Sequence, residues 1–177
     1  HDQTRRQRQM CIRDSLASIP SKKADNVLFT LTDYNKSFEN DKNLLKMLAK
    51  DYKNLFFWPQ GLGDAKYFRS ISEGSNVDVK IISPNLCSFD DFLQTVQVDY
   101  IGNRLHAGIR AIQKGRRAHI ISIDNRAHEI SKDINLSSSI RGDFESVHEF
   151  ISSNNETALS IPYDAIDTWK SQFSEFC

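Results

Sequence analysis

No charge of either sign dominates this chain. Its 177 residues carry 23 Lys and Arg against 23 Asp and Glu, so no global field for nucleic acid or an anionic membrane is expected. That balance does not exclude a small local anion site. Cysteine is scarce: Cys11, Cys87 and Cys177 stand far apart and without metal-ligand spacing. Their odd number fits a reducing compartment better than a disulfide framework. No apolar run is long enough for a membrane span, and the amino terminus lacks the charged stretch, apolar core and cleavage site of a leader. A soluble, cytoplasmic protein is the expectation. Neither standard glycine-rich phosphate loop occurs, and neither does an internal repeat or a low-complexity stretch. The composition is that of an ordinary globular domain, 39% hydrophobic and 26% charged. The length suits one domain with a real core and is too short for two large ones.

Residues 1–24 stand apart as an extension. Its first fifteen residues, HDQTRRQRQMCIRDS, are basic and nearly without apolar periodicity, and the extension is expected to be foreign or disordered. Over 25–177, β-forming runs alternate with helical spacing. Strands are predicted at 26–33, 54–61, 77–83, 99–101 and 118–124, with a short extended piece at 138–140. Helices are predicted at 37–52, 64–71, 88–98, 103–114, 127–133, 143–152 and 163–176, the last carrying Ile166, Trp169, Phe173 and Phe176 at helical spacing. Ser88 is a predicted N-cap, with Asp90 and Asp91 suiting the positive first turn. Strands alternating with helices imply right-handed crossovers and the α/β class, a Rossmann-like, mainly parallel sheet with helices on both faces. Ligands of such sheets gather at the carboxyl ends of the strands, where helix amino termini point inward.

Chemistry concentrates in Asp99–Ile130, DYIGNRLHAGIRAIQKGRRAHIISIDNRAHEI. Gly102 ends a strand and permits a tight turn. Asn103 is a predicted N-cap, which puts Arg104, Leu105 and His106 in the first helical turn. Leu105, Ile109 and Ile112 share a face that anchors the helix, while Ala107 and Gly108 allow close approach of backbone or ligand. The uncapped amides of a helix start attract anions. Arg104 adds a permanently charged fork suited to carboxylate or phosphate, and His106 a group that exchanges protons near neutral pH. On an ideal helix the two would diverge by about 200°. Periodicity alone therefore does not bring them together.

In these residues the chain resembles the polysaccharide pyruvyl transferase family. The likeness rests on IGNRLHAGIRAIQKG, on IISIDNRAHEI with the Asp133 that trails it, and on VLFTLTD and FFWPQGLGD, which look like the opening strands of that family's C-terminal half; it spans roughly 26–142. Asn103 stands where Thr or Ser is common in the family, and Ala107 where Gly is common. The resemblance implies transfer of a pyruvyl group from phosphoenolpyruvate to a sugar of a surface polysaccharide or exopolysaccharide, forming a ketal across two hydroxyls. It also implies a two-domain architecture similar to GT-B glycosyltransferases, of which residues 25–177 would be the C-terminal half, the N-terminal half being missing. Activity of the fragment alone is not implied. Arg104 and His106 are the residues expected in donor binding and catalysis, and Gly102, Asn103, Asn125 and Arg126 complete the expected substrate-binding set. No metal and no cofactor beyond the donor substrate are expected. The implied partners are phosphoenolpyruvate and a saccharide or lipid-linked glycan acceptor, with no nucleic acid and no membrane span.

Other residues have plainer readings. Asp124-Asn125-Arg126 follows a strand, so Arg126 is a candidate anion contact, while Asp124 and Asn125 equally suit helix capping. Arg110, one turn after His106, either orients it or faces solvent. Arg116 and Arg117, after the helix-ending Gly115, are read as complementing a helix C-terminus. The stretch from Pro59 through Asp64 also follows a strand, so it is either part of the ligand-facing rim or, the favoured reading, a plain loop. His119 is expected to be packed in a strand, and His128 and His148 lack ligand spacing. Asp90 with Asp91 is read as a helix-start feature, not a catalytic pair. Two other functions remain open: the donor domain of a GT-B glycosyltransferase, and a non-catalytic α/β binding module.

Overall fold

A computed structural model describes residues 19–154, 157, 159, 160, 164, 167, 168 and 171, with only the backbone of Arg126 and Ala127. Six parallel strands form one sheet: β1 (Asn26–Thr30), β2 (Asn54–Phe57), β3 (Val79–Ile81), β4 (Val98–Gly102), β5 (Ala118–Ser122) and β6 (Ser138–Ile140), in the order β3-β2-β1-β4-β5-β6. Helices α1 (Phe38–Asp51), α2 (Leu62–Ser72), α3 (Leu86–Thr95), α4 (Leu105–Gln113), α5 (Asn125–Asp133) and α6 (Phe144–Ser152) fill the connections. This is the Rossmann-like α/β arrangement, with every pairing parallel. The strand order reverses between β1 and β4, where the chain leaves one half of the sheet and starts the other. The helix predicted at 163–176 lies largely outside the described residues, as do Cys11 and Cys177.

Alternation along the strands explains the three layers. In β1, Val27 and Phe29 turn to one face while Leu28 turns to the other. The first face is covered by Leu44, Leu45 and Leu48 of α1, Tyr67, Phe68 and Ile71 of α2, and Val147, Phe150 and Ile151 of α6. The second packs on Phe89 and Leu93 of α3 and on Leu105, Ile109 and Ile112 of α4. Both cores are needed because a parallel sheet is apolar on its two sides. Ile19 packs against the second core, and Ala24 N–H donates to Asp99 at 3.4 Å. These two residues, grouped by sequence with the extension, thus contact the domain.

Several local expectations are corrected. Helix α3 begins at Leu86 because Asn85, not Ser88, is its N-cap; the Asn85 side chain accepts from the Ser88 amide at 2.8 Å. Asp90 therefore lies beyond the first turn and takes Arg110, whose Nε donates to it at 2.7 Å. The Arg110 guanidinium thus turns to α3, a partner that neither reading named. Arg116 and Arg117 do complement helix C-termini, but not that of the helix they follow. Arg116 donates to the carbonyls of Leu93 and Gln94 in α3, at 2.9 and 3.4 Å. Arg117 donates to those of Phe150 and Ser153 around the end of α6, at 2.5 and 3.1 Å, and pairs with buried Asp99 at 3.4 Å. Sequence offers no partner for such side chains, since the carbonyls they reach are about twenty to thirty-five positions away.

His119 is packed as expected. It is 2% exposed, and its two ring nitrogens lie 2.8 Å from the hydroxyls of Ser137 and Ser139. A neutral imidazole donates from one nitrogen and accepts at the other, and serines can fill both roles. Burial pushes its pKa down from 6.5 to about 4, against a weak opposing pull from Asp143. The folded state therefore binds its proton less readily than the unfolded state. Its contribution is intact above pH 6.5 and is lost as pH falls from 6.5 towards 4, at most about 3 kcal/mol in all. Urea unfolding of the wild type and His119→Gln over that window should show a steeper acid loss in the wild type. Parallel pH profiles would contradict this account.

Candidate functional site at the strand crossover

The carboxyl ends of β1, β2, β4 and β5 surround a cavity of about 250 Å³. Thr32 and Tyr34 enter it from the segment after β1, Gln60 from the segment after β2, and Asn103, Arg104, Leu105 and His106 from the β4–α4 junction. Ile123 and Asp124, after β5, complete the wall. The cavity thus lies at the reversal of strand order, where parallel sheets open a crevice between diverging connections.

The β4–α4 junction departs from the expected cap. Arg104, not Asn103, is the N-cap, with extended backbone (φ −97°, ψ 95°), and α4 starts at Leu105. The helical-wheel divergence of Arg104 and His106 does not apply, because Arg104 stands outside the helix. Both line the cavity, His106 exposed and Arg104 partly buried. No side chain caps α4, which leaves the first-turn amides for an anion. Asn103 is buried, its amide donating to the Thr30 carbonyl at 3.3 Å, and its Oδ1 has no hydrogen-bond partner.

Two buried residues hold this junction. Tyr100 is fully buried, which pushes its phenol pKa up, so it stays protonated. Its single proton goes to the Arg104 carbonyl at 2.8 Å, so the Thr30 hydroxyl, 2.6 Å away, must be the donor in that second contact. Gly102 is paired with Thr30 across β1 and β4, and a Cβ there would lie 2.8 Å from the Thr30 backbone nitrogen and oxygen. Gly102 therefore serves strand approach and not a tight turn, and it is absent from the cavity lining.

Asp64 is the residue that sequence reading missed. The segment from Pro59 was read as loop, yet α2 starts at Leu62 and buries Asp64 in its first turn, 1% exposed. Its carboxylate accepts from the Asp33 amide at 3.0 Å and the Gln60 amide at 3.1 Å. Arg104 Nη2 donates to both of its oxygens, at 2.6 and 2.7 Å. Arg104 Nε is buried without a partner. The signal available in sequence was the acidic residue just inside a helix start after Gly61 and Gly63; its partner forty positions on was not visible.

A second cavity, about 350 Å³, adjoins the first through shared Ile123 and Asp124. Asn125 lines this second cavity, not the first. The Arg126 side chain lies outside the described residues. Buried side-chain polar atoms without a hydrogen-bond partner, among the described residues, belong to Asn103, Arg104, Ser122, His128 and Arg141. Each of these five residues lines one of the two cavities. Native interiors leave few such atoms, and here they gather at one rim.

No group of three or more His, Cys, Asp or Glu is arranged for a metal among the described residues. No helix among them is long and apolar enough to cross a membrane. Comparisons with models of known families, with curated proteins and with solved structures find no match for this chain. Fold and site define an α/β protein with a polar cavity at its strand crossover.

Removing the Asp64 carboxylate should loosen that rim. Asp64→Ala strands Arg104 and two backbone amides; because Arg104 is partly exposed, the expected loss is about 2–3 kcal/mol, below the range for a wholly buried pair. Chemical unfolding measures it, and a loss within error would remove Asp64 from its structural role.

Proposed function

We propose that the chain is the donor-binding half of a polysaccharide pyruvyl transferase, taking phosphoenolpyruvate and acting with a saccharide or lipid-linked glycan acceptor in the cytoplasm. The observation that carries this reading is that Arg104 and His106, the residues of the Arg-Leu-His motif, line one cavity beside an uncapped helix start. Phosphoenolpyruvate presents a carboxylate and a phosphate on neighbouring atoms, so it needs a fixed cation with oriented amide donors. Asp64 grips the Arg104 fork through Nη2; the rest of the guanidinium and the α4 amides meet the donor's negative charge.

Ketal formation adds two acceptor hydroxyls to the enol carbon. The methylene carbon gains a proton and becomes methyl, two C–O bonds form, and the bond to phosphate breaks. The hydroxyls give up two protons, one balanced by the new methyl and the other leaving with phosphate. In this reading His106, which is exposed, passes a proton between acceptor and donor, the role of a general acid and base. Tyr34 and Gln60 line the same cavity, and neither carries charge.

Phosphoenolpyruvate titrated onto the chain should shift the amide resonances of Asn103 and His106, and Arg104→Gln should weaken that response about tenfold or more. In an enzyme carrying both halves of the cleft, His106→Ala should lower turnover by roughly 10²–10⁴ with little change in KM. Unchanged turnover would reject the proton-transfer role. A response to a nucleoside diphosphate and none to phosphoenolpyruvate would instead favour a nucleotide-sugar donor domain.

A further inference from the structure

The second cavity lies at the carboxyl ends of β5 and β6, over the first turn of α5. Ser122, the last residue of β5, is 4% exposed, and its hydroxyl has no partner. Arg141 follows β6, its side chain 10% exposed. One nitrogen donates to the Asn35 carbonyl, while Nε and Nη2 are buried without hydrogen bonds, although Nε lies 3.4 Å from Asp41 in an ion pair. Gly142, at φ +95°, turns the chain straight after it into α6. His128, on α5, brings a buried and equally unpartnered Nδ1 to the same cavity. The nine residues of α5 begin at Asn125, which lines the same cavity.

A hydroxyl, a ring nitrogen and the Arg141 Nη2, each buried without a hydrogen-bond partner, are costly individually. All are donors or can become donors, and a helix start adds more. Water could meet some of these needs, but the guanidinium and the helix dipole select negative charge. Lys36 adds a second cation to the lining, against the carboxylate of Asp124 and the buried Asp41 behind Arg141. We propose that this cavity is an oxyanion site, holding a phosphate group on Arg141, Ser122, His128 and the start of α5. It stands apart from the pyruvyl reading, since it holds whatever occupies the first cavity. The two cavities share Ile123 and Asp124 in their linings.

The test is amide NMR and calorimetry on the whole chain, with inorganic phosphate and with glucose 1-phosphate as separate probes. Millimolar phosphate should move the Asn125 and Ser122 amides more than that of His106. Ser122→Ala should weaken binding severalfold while leaving thermal stability equal or higher, because it deletes a hydroxyl with no partner. Arg141→Gln should weaken binding about tenfold or more; its lost contact with Asp41 could unsettle the fold, which is why Ser122→Ala is the deciding variant. Tighter binding of the sugar phosphate identifies an ester as the ligand, and equal binding identifies the free oxyanion, both supporting the site. Absence of binding, shifts centred on His106, or affinity unchanged in Ser122→Ala would overturn it.

Discussion

The contact between Asp64 and Arg104 organises the functional end of this molecule. One buried carboxylate receives a guanidinium nitrogen on both oxygens and two backbone amides besides. Through it the segments leaving β1, β2 and β4 are tied at a single point. Strands in a parallel sheet are fixed to their neighbours by the ladder, but the connections beyond them are not. A charge accepting four hydrogen bonds supplies that fixation where the strand order reverses and the connections diverge. The same contact sets how Arg104 is presented, since a held fork loses less freedom on meeting a ligand than a mobile one.

The two ends of the sheet treat their basic residues differently. At the amino-terminal end, Arg116 and Arg117 spend their guanidinium groups on helix carbonyls and on Asp99. Burial pushes the Asp99 carboxyl pKa up, with Arg117 and Tyr52 pulling the other way. That cluster joins β4, β5 and the ends of three helices, and its hydrogen bonds are internal. At the carboxyl-terminal end, Arg104 and Arg141 are anchored by one carboxylate each yet keep buried nitrogens without partners. Similar side chains thus spend their hydrogen bonds internally at one end and keep buried nitrogens without hydrogen bonds at the other. Binding sites tolerate this imbalance where packing sites do not.

Much of this was legible from residue pattern. The runs NVLFT and AHIIS are short, β-rich and flanked by polar turns, and they became buried strands. The strand-turn-helix around Gly102 and Leu105 was also readable, because the apolar spacing of Leu105, Ile109 and Ile112 admits one helix face. The cap was not. Asn is the better capping residue in isolation, but the Asn103 amide is drawn to the Thr30 carbonyl and Tyr100 grips the Arg104 carbonyl. These tertiary bonds move the helix start by one residue. Asn85 displaced Ser88 at α3 for a local reason, since its side chain reaches the Ser88 amide from an extended backbone.

Sequence by itself determined the α/β class, the strand-helix alternation and the segment in which Arg104 and His106 would meet a helix start. Those properties follow from periodicity and turn chemistry, which act over a few neighbouring residues. Only the tertiary structure decided that Asp64 answers Arg104, that Arg104 leaves the helix, and that Ser122, His128 and Arg141 face one cavity. Each of those depends on which strands become neighbours, and pairing between distant segments is set by the summed burial of both sheet faces. No local pattern encodes it.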